Sequence, residues 1–488
     1  MLHGNPLLRG WRVTDVSFYT TELPQYAVIE LAGGLSPDVM HVGGAMTYTL
    51  LVLAAAFLAR GSATGKAGLA RALIAAGIML APQLGAGTRT LVLSPDHTGT
   101  GVPVLLAWLL IDRFAARWFV PVLVWAALTL TAVADAMALF VAVIPLALVC
   151  AIRVARDVTW NREPPREHRR ERALLIAAVL AVPAELAATA LIGAAGGWRV
   201  NGLSTALAGP GWLAGNARLT GEGLLELFGA DVFGAASTGS RLAVAFAVVH
   251  LAGVALAAAA VIIAARRFPG QELISDLLLT GIVVDVAGYL MGVQAVNILS
   301  TREIAPVLPF AAALAGRLLA GRLLAGRLLA GRLLAGRALV RYGLCGALAL
   351  YAAMLGYAAA QPRASAQYAG LAAWLPAHHL TAGLSGYHQA SIVTLESRGA
   401  VVLRPVTTSG GRVVAYVWNA STAWFDPARH AATFLVLTGP PVPGAAAGPG
   451  LTIARAIATF GRPVRTYRYR GYTILAWPRG ENLLDRLH

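Results

Sequence analysis

A polytopic α-helical membrane protein of about ten transmembrane helices, followed by a small α/β domain, is the fold class this sequence predicts. Three observations predict it. The 488 residues are 57% hydrophobic and 13% charged, with a mean hydropathy of +0.66, far from the balance of a water-soluble domain. Apolar runs of roughly 17–25 residues, long enough to cross a bilayer as helices, recur through the first three quarters. The last quarter instead alternates apolar with polar residues at the period of a strand.

The helices are predicted at about 39–60, 72–90, 101–113, 118–134, 136–152, 174–194, 241–264, 274–296, 304–316 and 338–360. Charge sets their direction. Arg60, Lys66 and Arg71 flank the first hairpin, and seven arginines against four acids fill 153–173. Arg266 and Arg267 follow the seventh helix. The positive-inside rule puts all of these in the cytoplasm when both chain ends lie outside. The chain then divides into an extracytoplasmic first loop (1–38), a transmembrane domain (39–360) and an extracytoplasmic domain (361–488). Its cytoplasmic loops are 61–71, 153–173, 265–273 and 317–337. The expected location is a bacterial plasma membrane. Abundant Ala, Gly, Arg and Pro with a single lysine among 39 basic residues suit a GC-rich genome of actinobacterial style. Many of the arginines behind the net charge of +16 thus sit in short loops between apolar runs, and no basic, aromatic-interleaved patch calls for nucleic acid.

Residues 195–240, rich in Gly and Trp, are expected to lie along the membrane surface as short amphipathic helices. In the tail, Ala400–Val406, Arg412–Trp418, Thr433–Thr438 and Tyr472–Trp477 read as strands and Leu451–Phe460 as a helix. Residues 315–337 hold AGR and four copies of LLAGR. A period of five turns each arginine by about 140° on a helix, so no amphipathic face forms. A repeated coding unit explains the run better than a binding surface, and its arginines are expected in or near the cytoplasm, in reach of anionic lipid. Cys150 and Cys345 both sit in apolar runs and read as buried, inert thiols.

Three polar stretches interrupt the apolar background on the same predicted side. In Thr14–Glu22, Asp15 and Glu22 are carboxylates held just above the bilayer, able to take a proton from a hydroxyl; the competing reading is a pair of solvated loop acids. In Ser94–Thr100, a compact turn gathers Asp96, His97, Thr98 and Thr100 before a helix whose N-terminal amides favour an anion. Asp96 serves equally as a helix cap. In Ser300–Glu303, Arg302 can fork onto a phosphate or pair with Glu303. Deeper lie Glu185 and Asp285, functional candidates as intramembrane carboxylates. Asp135, at a tight turn on the same side, is a weaker member of the set, and His250 reads as a core histidine.

At these residues the chain resembles the GT-C-fold glycosyltransferases, such as protein O-mannosyltransferases and the aminoarabinose transferases that modify lipid A. The resemblance covers the layout of the whole chain but only short stretches of motif. It implies a polyprenyl-phosphate sugar as donor, with a glycan, lipid or protein hydroxyl as extracytoplasmic acceptor. Asp15, with Glu22, would be the base, and His97 and Arg302 would grip the donor phosphate. Asp96, Thr98, Thr100 and Glu303 would support them, and inversion would follow from a single displacement. A divalent cation is compatible with acids beside a phosphate. Trp374, Tyr387, Trp418 and Trp424 of the tail would stack on an acceptor sugar, or else pack a small core. One departure stands out: in the family a helix precedes the acidic loop, whereas here that loop begins almost at Met1. The expectation is that the start lies upstream or that the first helix has been lost.

Two other classes compete. A secondary transporter would use Glu185 and Asp285 as an ion relay, though no repeat of helical segments is visible and a long structured tail is unusual for a carrier. An inactive membrane scaffold would follow from a lost first helix.

Overall fold

The computed structural model describes residues 2, 4–14, 16–79, 89–93, 97–114, 117–156, 169–200, 206–237, 240–270, 272–324, 345–346, 349–350, 352–353, 356–357, 360, 366, 368–437 and 450–487. Strand β1 (Trp11–Arg12) is followed by α1 (Glu22–Gly33), so the predicted first loop carries a 12-residue helix. Its sequence ELPQYAVIELAG begins with an acid in the first turn and ends at Gly34, whose φ of 71° lies in the left-handed region. The helical body follows: α2 (Asp38–Arg60), α3 (Gly65–Met79), α4 (Gly101–Arg113), α5 (Val120–Ala134), α6 (Ile144–Arg156, continuing a π-helical Leu139–Val143), α7 (Arg169–Ala194), α8 (Leu213–Leu227), α9 (Val232–Ser237), α10 (Arg241–Ala265), α11 (Leu273–Met291), a 3-10 turn at Ile298–Ile304, and α12 (Val307–Leu324).

Among the described residues, five helices are long and apolar enough to cross a membrane: Asp38–Arg60, Leu139–Arg156, Arg169–Ala194, Arg241–Ala265 and Leu273–Met291. Ile298–Ile304 with Val307–Arg322, bent by 51°, makes a sixth if the pair is one span. The sequence predicts ten. Part of the shortfall has a geometric cause, because α4 and α5 run for 13 and 15 residues. At 1.5 Å per residue they reach about 20–23 Å, against a hydrocarbon core of about 30 Å. Most of the predicted helix 338–360 and residues 80–88 lie outside the described residues.

Leu53, Phe57, Leu106, Leu130, Val179, Leu180, Leu251 and Val283 are exposed on the flanks of these helices. An apolar belt of this extent has no place in water and suits a bilayer. The interior packs Ala, Leu, Val and Trp108 to near-zero exposure. Gly316 lets α12 approach closely: a Cβ there would sit 2.4 Å from the carbonyl oxygen of Arg71.

Charged residues gather at one end of the bundle. Arg153 binds Asp276 at 2.6 Å, and Arg170 donates to the Ile111 carbonyl at 2.6 Å. Arg317, the first arginine of the five-residue repeat, is buried and pairs with Asp112 at 2.9 Å and Glu272 at 2.7 Å. It also donates to the Leu58 carbonyl. The predicted loop 317–337 therefore begins as helix, and Arg317 faces protein. Residues 325–344 of the repeat region lie outside the described residues. Of the two thiols expected to be buried, Cys150 is buried and Cys345 is exposed.

Segment 195–240 does form short helices, but α8 is not simply surface-lying. Its Asn216, Thr220 and Glu226 are buried, and the Asn216 amide donates to the carbonyls of Leu290 and Gly292, both at 2.9 Å. This stitches α8 to the end of α11.

The tail forms a domain of α13 (Ala369–Ala377), β2 (Ala382–Ser385), α14 (Tyr387–Glu396), β3 (Val402–Ser409), β4 (Arg412–Ala415), β5 (Ala420–Ser421), β6 (Phe434–Leu437), α15 (Ile453–Phe460), β7 (Arg465–Tyr469) and β8 (Tyr472–Ala476). Six strands make one mixed sheet in the order β4-β3-β2-β6-β8-β7, with β2 parallel to both β3 and β6. Two apolar clusters pack against it, one around Phe434 and Tyr368 and one around Phe460 and Trp477. All four predicted strands and the predicted helix are present with boundaries shifted by a few residues. The remaining strand pairs with the other end of the chain: Trp11 faces Ser421 and Arg12 faces Ala420 in an antiparallel ladder. Trp11 also meets Trp424 edge to face, with ring centroids 4.9 Å apart.

Candidate functional site

The site stands at the end of the bundle opposite the arginine clamps. Three chain segments far apart in sequence build it. Asp135 ends α5, where the backbone turns extended, and its Oδ1 accepts from the Met137 amide at 2.9 Å. His97 occupies the loop before α4 with a φ of 60°, a left-handed conformation that costs a non-glycine residue on the order of 1–3 kcal/mol. The 3-10 turn carrying Glu303 is started by Asn297, whose side chain accepts from the Leu299 amide at 2.9 Å in a capping box with Ser300.

These segments bring His97 between two carboxylates. Its Nδ1 lies 2.9 Å from Oδ2 of Asp135, and its Nε2 lies 3.1 Å from Oε2 of Glu303. The Thr100 hydroxyl donates to the same Asp135 oxygen. His97 and Asp135 are each 2% exposed, Glu303 13%. Burial by itself works to strip the proton from His97. The Asp135 charge and hydrogen bonds to both carboxylates outweigh it, holding the imidazole well above its ordinary pKa. Burial likewise works to raise the pKa of Asp135, yet the His97 charge and bonds from His97, Thr100 and the Met137 amide leave it below the usual carboxylate range. The pair is therefore an imidazolium and a carboxylate, bonded through Nδ1 of His97 and Oδ2 of Asp135.

Glu303 turns toward a cavity of about 350 Å³. Met137, Phe140, Ala206, Leu207, Gly288, Met291 and Gly292 supply its apolar wall, and Asp285, Tyr289, Gln294 and Glu303 its polar groups. Asp285 is 2% exposed and close enough to His97, Glu303 and Asp135 to feel their charges. Among the described residues, neither of its oxygens has a hydrogen-bond partner, and neither does the Tyr289 hydroxyl.

The candidates named from sequence distribute as follows. His97, Thr100 and Glu303 meet. Arg302 stands beside them, its Nε 3.5 Å from Oε1 of Glu303, and is partly exposed. Glu22 is buried with its carboxylate against the same loop: a Cβ at Gly99 would lie 1.8 Å from its Oε1, so any larger residue there would push the carboxylate aside. Thr98 points away, donating to the Thr90 carbonyl at 3.3 Å. Asp15 and Asp96 lie outside the described residues. Next to Asp15, the Ser17 and Phe18 amides donate to the Ala134 carbonyl, immediately before Asp135, at 2.9 and 3.1 Å. Ser17 Oγ adds a bond to the Val133 carbonyl at 2.7 Å. His97 itself is not placed as a phosphate-gripping residue, because carboxylates occupy both ring nitrogens.

The four tail aromatics do not form one surface. Trp374 stacks on His378 and Tyr469, and Trp424 pins Trp11. Tyr387 meets Tyr416, which meets the exposed Trp418. Glu185 lines a small cavity of about 100 Å³ with Tyr19 and Trp198, separate from the cavity of Asp285. Among the described residues, no group of three or more His, Cys, Asp or Glu side chains is arranged to hold a metal ion.

The sequence offers Asp135 only as a weaker member of the polar set and Asp285 as an intramembrane candidate or relay group, with nothing local to place either beside His97. Tyr289 was not singled out, although it stands four residues after Asp285 and so shares its helix face. Comparison with protein-family models, characterised proteins and solved structures finds no match.

Proposed function

We propose that the chain transfers a sugar from a polyprenyl-phosphate donor to an acceptor hydroxyl at the face of the membrane away from the arginine clamps. The observation that carries the reading is the buried Asp135–His97–Glu303 chain beside a cavity. Asp135 orients an imidazolium, and the imidazolium holds the Glu303 carboxylate toward the cavity. A carboxylate so positioned can accept a proton from a hydroxyl. The hydroxyl oxygen then attacks the anomeric carbon, the bond from that carbon to the phosphate oxygen breaks, and polyprenyl phosphate leaves. Arg302, partly exposed beside Glu303, supplies a cation for that leaving phosphate. Sidedness is supported by the arginine-rich loops at the opposite end, which the positive-inside rule places in the cytoplasm. The lipid-facing belt supports a donor whose prenyl tail lies in the bilayer.

The GT-C resemblance implies Asp15 as the proton acceptor, and the position of Glu303 beside the cavity supports Glu303 in that role. The test uses the full chain in lipid nanodiscs with radiolabelled polyprenyl-phosphate sugars and counts the label transferred. Glu303→Gln is expected to lower transfer by roughly a hundredfold or more, the usual worth of a positioned base. Asp135→Asn should also lower it. If Asp15→Asn abolishes transfer and Glu303→Gln spares it, the base is Asp15. If no donor is consumed by the wild-type chain, and a proton gradient drives solute uptake that Asp285→Asn abolishes, the chain is a carrier instead.

A further inference from the structure

We propose that the cavity between Asp285, Tyr289 and Glu303 seats a neutral sugar ring of the acceptor, so that the substrate class is a glycan and not a serine or threonine side chain. This deepens the glycosyl-transfer reading and rests on it. Two observations carry it independently of one another. The first is chemical. A carboxylate 2% exposed and a tyrosine 3% exposed, whose side-chain oxygens have no hydrogen-bond partner among the described residues, line one cavity. Buried polar groups are normally bonded, and these lack protein partners where ligand hydroxyls would supply them. A sugar offers such hydroxyls in several directions at once, while a single serine hydroxyl would leave most of these groups bare.

The second observation concerns what the cavity lacks. Among the described residues, no lysine, arginine or histidine lines it, whereas carboxyls do. Acids and a phenol as the ionisable lining groups suit a neutral ring better than a phosphate, which puts the donor headgroup outside it. A volume of about 350 Å³ is at the small end of ordinary ligand sites, ring-sized and too short for a prenyl chain. Phe140 and the methionines give the apolar C–H face of a ring something to pack on. Glu303 then stands at the one wall shared with the His97 chain, where the nucleophilic hydroxyl would meet it. An aminosugar would suit two carboxyls, but Glu303 is already neutralised by His97 and Arg302, which favours the neutral ring.

The experiment is saturation-transfer NMR on the full chain in nanodiscs, with three probes. They are a panel of neutral methyl pyranosides, the aminodeoxy counterpart of each, and a hexose 1-phosphate. The expected result is transfer to ring protons of a neutral pyranoside and none to the phosphate. Asp285→Asn should weaken the dissociation constant roughly tenfold, the ordinary effect of losing one charge-assisted bond. Gly288→Leu should fill the cavity and abolish the signal. Should Gly288→Leu not fold, Leu207→Trp closes the cavity from its exposed rim. The proposal is overturned if no neutral pyranoside binds, if only the aminosugar or the phosphate does, or if both occluding variants bind as the wild type does. Radiolabelled transfer to a serine-containing peptide, measured on the same preparation, separates the two readings. Peptide transfer without pyranoside binding sinks the glycan inference alone. Pyranoside binding with no donor turnover keeps the sugar site and sinks the transferase.

Discussion

His97 shows how one residue's charge state depends on partners that its own sequence neighbourhood does not reveal. Because its pKa is raised in the folded protein, the stabilisation it brings is complete below its unfolded value of about 6.5. That stabilisation is lost as pH rises through the folded value. Asp135, lowered by the same pairing, contributes above about 3.9 and loses its contribution as pH falls through its own folded value. Detergent-solubilised protein should therefore melt at steadily lower temperature on the alkaline side, and His97→Phe should flatten that limb of the curve. A wild-type curve that stays level through the alkaline range would remove the imidazolium from the account. Asp285 carries the opposite lesson. Its unpartnered carboxyl is expected to cost about 1–3 kcal/mol, so Asp285→Leu should raise the melting temperature while abolishing turnover, a trade common at working sites. If the variant is less stable than the wild type, a hidden bond to Asp285 must exist. His97, Asp135 and Glu303 are all candidates in the sequence, but their partnership is not legible there, since Asp135 stands 38 positions from His97 and Glu303 lies on another element altogether.

At the level of elements, α12 shows that composition and position can give different answers for one arginine. The five-residue repeat has no helical face of its own, and that reading stands for a helix considered alone. Packing then selects Arg317, whose guanidinium reaches Asp112 on α4, Glu272 before α11 and the Leu58 carbonyl on α2. Removing one partner of a buried charge network costs about 3–5 kcal/mol. Arg317→Ala should therefore lose that much in unfolding free energy. Arg322→Ala, a substitution at the next copy, should stay within about 0.5 kcal/mol. Chemical unfolding of the two variants side by side decides it, and equal losses would mean the clamp is not selective. The helices shorter than a bilayer carry a related lesson. The apolar runs around α4 and α5 are legible in the sequence, but where each helix stops depends on turns such as the one at Asp135, and those are set by contacts across the bundle.

On the scale of the whole molecule, the tail is tied to the start of the chain through β1 and β5 and through Trp11 against Trp424. This places the sheet domain at the end of the molecule where His97 lies, since residues 16–18 dock beside Asp135. Cysteines at Arg12 and Ala420, which face each other across the ladder, should form a disulfide under mild oxidation. Trp424→Ala should slow it. Failure of the pair to cross-link in the full chain would separate the tail from the bundle.

Sequence alone determined that this chain belongs to a membrane, where its basic loops collect, and which tail segments become strands. Those properties follow from run length, period and local charge, which are read within a window of residues. The tertiary structure decided which acids matter. It set Asp135 and Glu303 against His97, gave Asp285 and Tyr289 a cavity and seated Glu22 on Gly99. It also drew Arg317 inward from a repeat that composition would leave at the cytoplasmic surface. Such contacts depend on the rotation and closeness of helices packed from distant parts of the chain. No local pattern encodes these, because each side chain's partner is supplied by another element.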